Sequence, residues 1–144
     1  MPSTKELRGV TERAANLETI IGATISTVYF GKVVLRFTFD LLADEYCSFA
    51  LKRRVLLKLV PKLTEVPGFV DNLNRLNTIR NYFAHVGLTV TEIPSPCAPN
   101  RTPDPRKFER SVDFEALYRE FIEKEAPVVA AIIEQYKVLG GVLK

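Results

Sequence analysis

Arg80, Asn81 and His85 fall within six consecutive positions, and their side-chain types suit proton transfer beside a phosphate. An imidazole ordinarily titrates at about pH 6.5, so near neutrality it can take a proton or give one. A guanidinium holds a phosphate, through two parallel hydrogen bonds where the geometry allows, and a carboxamide can orient either neighbour. Cleaving an RNA strand without a metal needs a base for the 2'-hydroxyl, an acid for the departing 5'-oxygen and a cation beside the phosphorus. His85 is the chain's one histidine. A mechanism with two histidines therefore needs two protomers at one cleft, which makes a homodimer a chemical requirement of this chemistry.

At about 100° per residue, positions 69 to 86 form a helix whose arc of Phe69, Leu73, Leu76, Ile79, Phe83 and Val86 faces a core. Asn74, Asn77, Asn81 and His85 make a narrow polar stripe on the other side. Asparagine is a poor helix former, so three in one stripe are unusual for a plain solvated face. Arg80 sits at an apolar angle, between Leu73 and Ala84. A guanidinium there must reach a carboxylate, a carbonyl or a phosphate. This leaves two readings open: a phosphate-binding Arg80, or a structural one paired with an acid such as Asp44 or Glu45, with His85 an ordinary histidine near a helix C-terminus.

The charge of +3 is unevenly spread. Residues 1 to 46 carry 5 Lys/Arg against 6 Asp/Glu, residues 47 to 112 carry 11 against 5, and residues 113 to 144 carry 4 against 6. A basic middle attracts phosphate backbones. Lys52, Arg53, Lys58, Asn77, Arg101, Arg106 and Lys107 are the candidate RNA contacts; the alternative is a solvated helix face plus a charged loop.

These residues are positioned by a simple order of elements. From Thr4 to Tyr29, Leu7, Val10, Ala14, Leu17, Ile21, Thr24 and Val28 step by threes and fours, the spacing of a long first helix. Lys32 to Asp40 fits a strand through Leu35, Phe37 and Phe39, and a helix through Phe30, Val34, Phe37 and Leu41; the helix is preferred. Ser48 can cap a helix through Phe49, Leu51, Val55, Leu56, Leu59 and Val60 that stops near Pro61 or Leu63, with Lys52, Arg53, Arg54, Lys58 and Lys62 on its other face. The helix after Gly68 runs to about Val86, with Gly87 as its C-cap. Leu88 to Ile93 can make a short strand, and Pro94, Pro96, Pro99, Pro103 and Pro105 then exclude a helix and predict a surface loop. A last helix begins near Asp113, with Phe114, Leu117, Phe121, Val128, Ile132, Tyr136 and Leu139 on one side and a kink or break at Pro127. The expectation is an all-α, up-and-down bundle of four to five helices in a single domain over residues 1–144, with a Pro-rich loop before the last helix.

At 144 residues and 47% hydrophobic content the chain is large enough to fold by its core. Residues Met1 to Val10 carry no apolar signal-peptide core, and the longest apolar run, Ala126 to Ile133, is too short for a bilayer. A cytoplasmic protein without a membrane partner is therefore the expectation. Cys47 and Cys97 do not make a disulfide framework. One histidine and two distant cysteines cannot hold a structural zinc, so no metal or other cofactor is expected. No phosphate-binding glycine loop or nucleophile elbow is present.

The run Arg80-Asn81-Tyr82-Phe83-Ala84-His85 resembles the Arg-x4-6-His signature of the HEPN superfamily, in which a polar residue, often Asn, follows the Arg. The resemblance implies a helical bundle with the motif closing its penultimate long helix, and a two-fold dimer in which both motif helices face one cleft. It further implies a metal-independent endoribonuclease with Arg80, Asn81 and His85 as catalytic residues. A cognate antitoxin or regulatory protein is the partner implied by the toxin branches. Gly87 stands where HEPN toxins paired with nucleotidyltransferase antitoxins commonly carry Tyr. Other branches, including mannitol-repressor-like proteins, use the same scaffold for binding or regulation, so a non-catalytic interaction module is the second expectation.

Overall fold

A computed structural model describes residues 2–43, 47–86 and 113–140, and the chain is helical throughout these, with no strand among the described residues. Helix α1 spans Thr4–Phe30. Ser3 opens it with a reciprocal cap: its hydroxyl accepts from the Glu6 N–H at 3.1 Å while Glu6 accepts from the Ser3 N–H at 2.9 Å. Gly31 closes it at φ 72°, a left-handed conformation that glycine adopts without a Cβ clash, and donates to the Thr27 carbonyl at 2.8 Å.

The ambiguous stretch after α1 is helical, as preferred, and takes an unusual form: Phe37–Leu42 is a π-helical segment. Its wide turn is visible where the Ala43 N–H donates to the Thr38 carbonyl five residues back, at 3.0 Å. Ser26 ties the segment to α1. Its hydroxyl donates to the Lys32 carbonyl at 3.0 Å and accepts from the Val34 N–H at 2.8 Å. Because the returning chain covers a second side of α1, Gly22, Ile25, Ser26 and Thr27 are buried along with the expected stripe residues Ile21 and Thr24.

Helix α2 covers Phe49–Leu59, capped by Ser48, whose hydroxyl accepts from the Leu51 N–H at 3.1 Å. Pro61 disfavours helical backbone at Val60, which sits at φ −126°, ψ 72°, and a 3-10 segment, Pro61–Glu65, comes next. Gly68, at φ 74°, leads into α3, Phe69–Val86. The strand, loop and C-cap expected between Gly87 and residue 112 lie outside the described residues, as does Cys97. Helix α4, Phe114–Val138, starts at an Asp113 cap that accepts from the Ala116 N–H at 3.0 Å. Pro127 does not divide it. Both Pro127 and Glu123, whose carbonyl loses its intrahelical partner, are exposed, so water can satisfy that oxygen.

The pairings fix the directions. Helix α3 runs against α4, since Asn72, Arg75 and Phe83 meet Lys124, Glu120 and Phe114 in turn. It also runs against α2, where Arg80 lies over Phe49 and Arg53 donates to Asn74. Helices α1 and α4 run the same way, with Gly9 against Tyr118 and Arg13 bonded to Glu125 at 2.9 Å. The π segment turns back along α1, since Val34 reaches Ser26 and both Thr38 and Leu42 reach Gly22. Counting the π segment, successive elements alternate in direction, an up-and-down arrangement.

Leu17, Ile21, Leu56, Leu63, Leu73, Leu76, Ile79, Phe83, Phe121 and Ile132 are all at most 2% exposed and form one core. Of the apolar arc expected on α3, Phe69, Leu73, Leu76, Ile79 and Phe83 belong to it. Tyr29, Phe30, Leu35, Phe39 and Leu41 are exposed at the C-terminal end of α1 and the segment after it. There the Phe30 and Phe37 rings meet edge to face at 5.0 Å.

Candidate functional site

The site is built on α3. Its apolar arc locks the helix to α1, the 3-10 segment and α4, which fixes the angles at which Arg80, Asn81 and His85 leave the helix. Arg80 turns toward α1 and α2. Its Nη1 lies 3.5 Å from Glu18 Oε1, and its guanidinium carbon is 5.9 Å from the Phe49 ring centroid, within cation–π range. The side chain keeps 37% of its exposure, so it is half-buried and ion-paired. Asp44 and Glu45, named from sequence as possible partners, lie outside the described residues; Glu18 is the acid that Arg80 meets.

Glu18 also faces Lys52, whose Nζ stands 3.8 Å from the same Oε1. Lys52 is therefore not on the open basic face where sequence placed it among the RNA contacts: its side chain is only 8% exposed. The physical reason is the spacing. Phe49, Lys52 and Leu56 are three and four residues apart, and all three are buried on one side of α2. A signal for this was present, because position 52 completes the apolar stripe. Glu18 likewise adjoins Leu17 at the edge of the α1 stripe, and pattern reasoning passes over an acid in that place.

His85 is half-buried near the C-terminus of α3, and its Nδ1 is buried without a hydrogen-bond partner among the described residues. An unpartnered buried imidazole nitrogen costs free energy, and such atoms in a folded chain ask for a reason, catalytic or otherwise. Asn81 is exposed, and Asn74 and Asn77 are half-buried, so the polar stripe lies along a solvent-accessible side of α3. Arg80 and His85, five positions apart, leave the helix about 140° from one another. Within one chain they do not converge.

Of the basic residues, Arg53 and Lys58 line a groove of about 640 Å³ between α2 and α3, together with Arg54, Asn74 and Val70. Arg53 donates to the Asn74 carboxamide oxygen, joining the basic face of α2 to the first asparagine of the stripe. Arg54 is a lining residue absent from the sequence-derived contacts. Arg101, Arg106 and Lys107 lie outside the described residues. Among the described residues no three His, Cys, Asp or Glu side chains gather as a metal set, and no helix is long and apolar enough to cross a membrane.

The chain matches no family model, no curated protein and no solved structure.

Proposed function

We propose that this chain is an RNA-binding protein or metal-independent endoribonuclease of the HEPN type that works as a cytoplasmic homodimer. The observation that carries the reading is the unpartnered His85 Nδ1, at the end of an asparagine stripe that begins beside a basic groove. Arg53, Arg54 and Lys58 suit the phosphates of a strand, and Asn77 and Asn81 supply donors and acceptors between that groove and His85. In the dimer, one His85 takes the 2'-hydroxyl proton as that oxygen attacks phosphorus. The other protonates the 5'-oxygen as its bond to phosphorus breaks, which leaves a 2',3'-cyclic phosphate. Arg80 keeps the part its type suggested, although it shares Glu18 with Lys52 as a counter-charge: in this reading its half-exposed guanidinium reaches the phosphate across the dimer cleft.

A second reading, a regulatory or protein-interaction module on the same scaffold with an antitoxin or regulator as partner, is favoured by the Arg80–Glu18 pair and by the exposed apolar side chains Tyr29, Phe30, Leu35, Phe39 and Leu41.

One experiment separates the two. Purified protein is incubated with single-stranded RNA in EDTA, with sedimentation run in parallel. The nuclease reading expects a dimer, cyclic-phosphate ends, and a rate reduced by roughly a hundredfold or more in His85→Ala. A dimer that binds RNA in a salt-dependent way without cutting it keeps the RNA-binding form. Absence of both cutting and binding at physiological salt leaves the interaction module.

A further inference from the structure

Beside the Glu18–Lys52 pair lies a pocket of about 210 Å³, bounded by α1, the π segment and α2. Lys52 is its one basic lining residue among those described. The ammonium has three donors, and none is in a hydrogen bond to a described residue: Glu18 Oε1, at 3.8 Å, is close enough for charge attraction and too far for a bond. The stem is buried while the ammonium reaches the water of the pocket, where its donors are open to an anion. The two hydroxyls on the wall cannot help an anion, because their protons are already given away. Thr19 donates to the Ala15 carbonyl at 2.9 Å and Thr38 to the Val34 carbonyl at 3.0 Å.

Charge points the same way. Glu18 stands between two cations, Arg80 and Lys52, so the trio carries one net positive charge at neutral pH. The remaining walls are apolar or small, with Gly22, Leu42, Ala43 and Phe39 among them. The volume is below the roughly 300–1,000 Å³ of a pocket for a drug-sized ligand, so the occupant has few heavy atoms.

We propose that this pocket binds a short-chain carboxylate, with Lys52 taking the carboxylate oxygens and the hydrocarbon end lying against Gly22, Leu42 and Phe39. A monoanion balances the trio's charge, and its two oxygens are satisfied by one ammonium. A phosphate, with more oxygens to satisfy, lacks donors here. The π segment has a part in this: its wide turn brings Thr38, Phe39 and Leu42 together as one wall. This site is independent of the RNA reading, since neither His85 nor the α2–α3 groove contributes to it.

The test uses the full chain with alanine and leucine methyls followed by NMR. Sodium butyrate should give saturable shifts at Ala15, Ala43 and Leu42; butyramide, of the same shape without the charge, and inorganic phosphate should not. Lys52→Met should weaken butyrate by about tenfold to a hundredfold. Thr19→Leu, which plugs the pocket from an exposed position, should do the same without touching the charge trio and serves if the first variant folds poorly. No saturable shift with butyrate overturns the proposal, as does equal binding of butyramide, tighter binding of phosphate, or wild-type affinity in both variants.

Discussion

Glu18 and Arg80 are tied across α1 and α3, with Nη1 3.5 Å from Oε1. The contact joins a residue that sequence singled out for chemistry to one that it passed over. It also makes Glu18 the shared counter-charge for two cations, since Lys52 faces the same oxygen.

Removing that carboxylate charge should therefore expose the cost of the lysine. Glu18→Gln is expected to destabilise the fold by roughly 1–3 kcal/mol, measured by urea denaturation, because the largely buried Lys52 and the half-buried Arg80 lose their shared counter-charge. Adding Lys52→Met, similar in volume and apolar, should recover most of that loss. If the double variant is no more stable than Glu18→Gln alone, Lys52 is not the source of the penalty.

The α3–α4 contact predicts a pH dependence. Arg75 binds Glu120 through two bonds of 2.6 and 3.0 Å, and these hold the Glu120 carboxyl below the usual carboxylate range, against a smaller opposing effect of burial. A carboxyl depressed in the folded state contributes stability that is complete above its unfolded value, about 4.3, and is lost as pH falls through the lower folded value. Both side chains are partly exposed, so the contribution is roughly 0.5–1 kcal/mol. Arg75→Met should flatten the acid side of the stability–pH curve by that amount, and an unaltered acid side would refute the linkage.

Two helical glycines should respond to alanine with opposite sign. At Gly22 a Cβ would meet Thr38 Cγ2 at 3.5 Å and Leu42 Cδ1 at 3.6 Å, ordinary contacts, so Gly22→Ala should raise stability by about 0.5–1 kcal/mol through helix propensity. At Gly9 the same atom would lie 2.8 Å from Tyr118 Cε2 and 2.9 Å from its hydroxyl oxygen, so the ring must move. Gly9→Ala should gain nothing or lose stability. Melting temperatures of the two variants, compared directly, decide it.

Ser26 offers a local test. Its hydroxyl serves both the Val34 N–H and the Lys32 carbonyl, and Ser26→Ala leaves both without that partner. A loss of about 1–3 kcal/mol is expected, with faster hydrogen exchange concentrated at Val34. Uniformly faster exchange along α1 would mean that the serine supports the helix rather than the turn.

Much of the bundle was legible from spacing. Val10, Ala14, Leu17 and Ile21 step by threes and fours and are buried, and the arc from Phe69 to Phe83 is buried throughout. Periodicity works there because each helix has one apolar neighbour side. It falls short at Gly22, Ile25, Ser26 and Thr27, buried outside the expected stripe beside a returning segment whose own pattern fitted two periods. It fails at Lys52, because a charged residue in an apolar slot is classed by its type before its place. For the site, the stripe of asparagines on an accessible side of α3 was legible. The divergence of Arg80 from His85 was also contained in their five-residue separation, whereas the acid that Arg80 meets comes from a helix about 60 positions away and has no local signal.

The π segment has one more consequence. A turn closed over five residues holds an extra residue compared with an α-helix spanning the same bonds. Leu41, 56% exposed, and Leu42, 8% exposed, sit next to each other in that turn. Deleting a single residue from Phe37–Leu42 would restore ordinary winding and remove one position from this wall, so Leu41 and Leu42 could not both keep their places. Length in this stretch is thus as much constrained as side-chain identity, and an alignment gap of one here would signal a rebuilt wall rather than a trimmed loop.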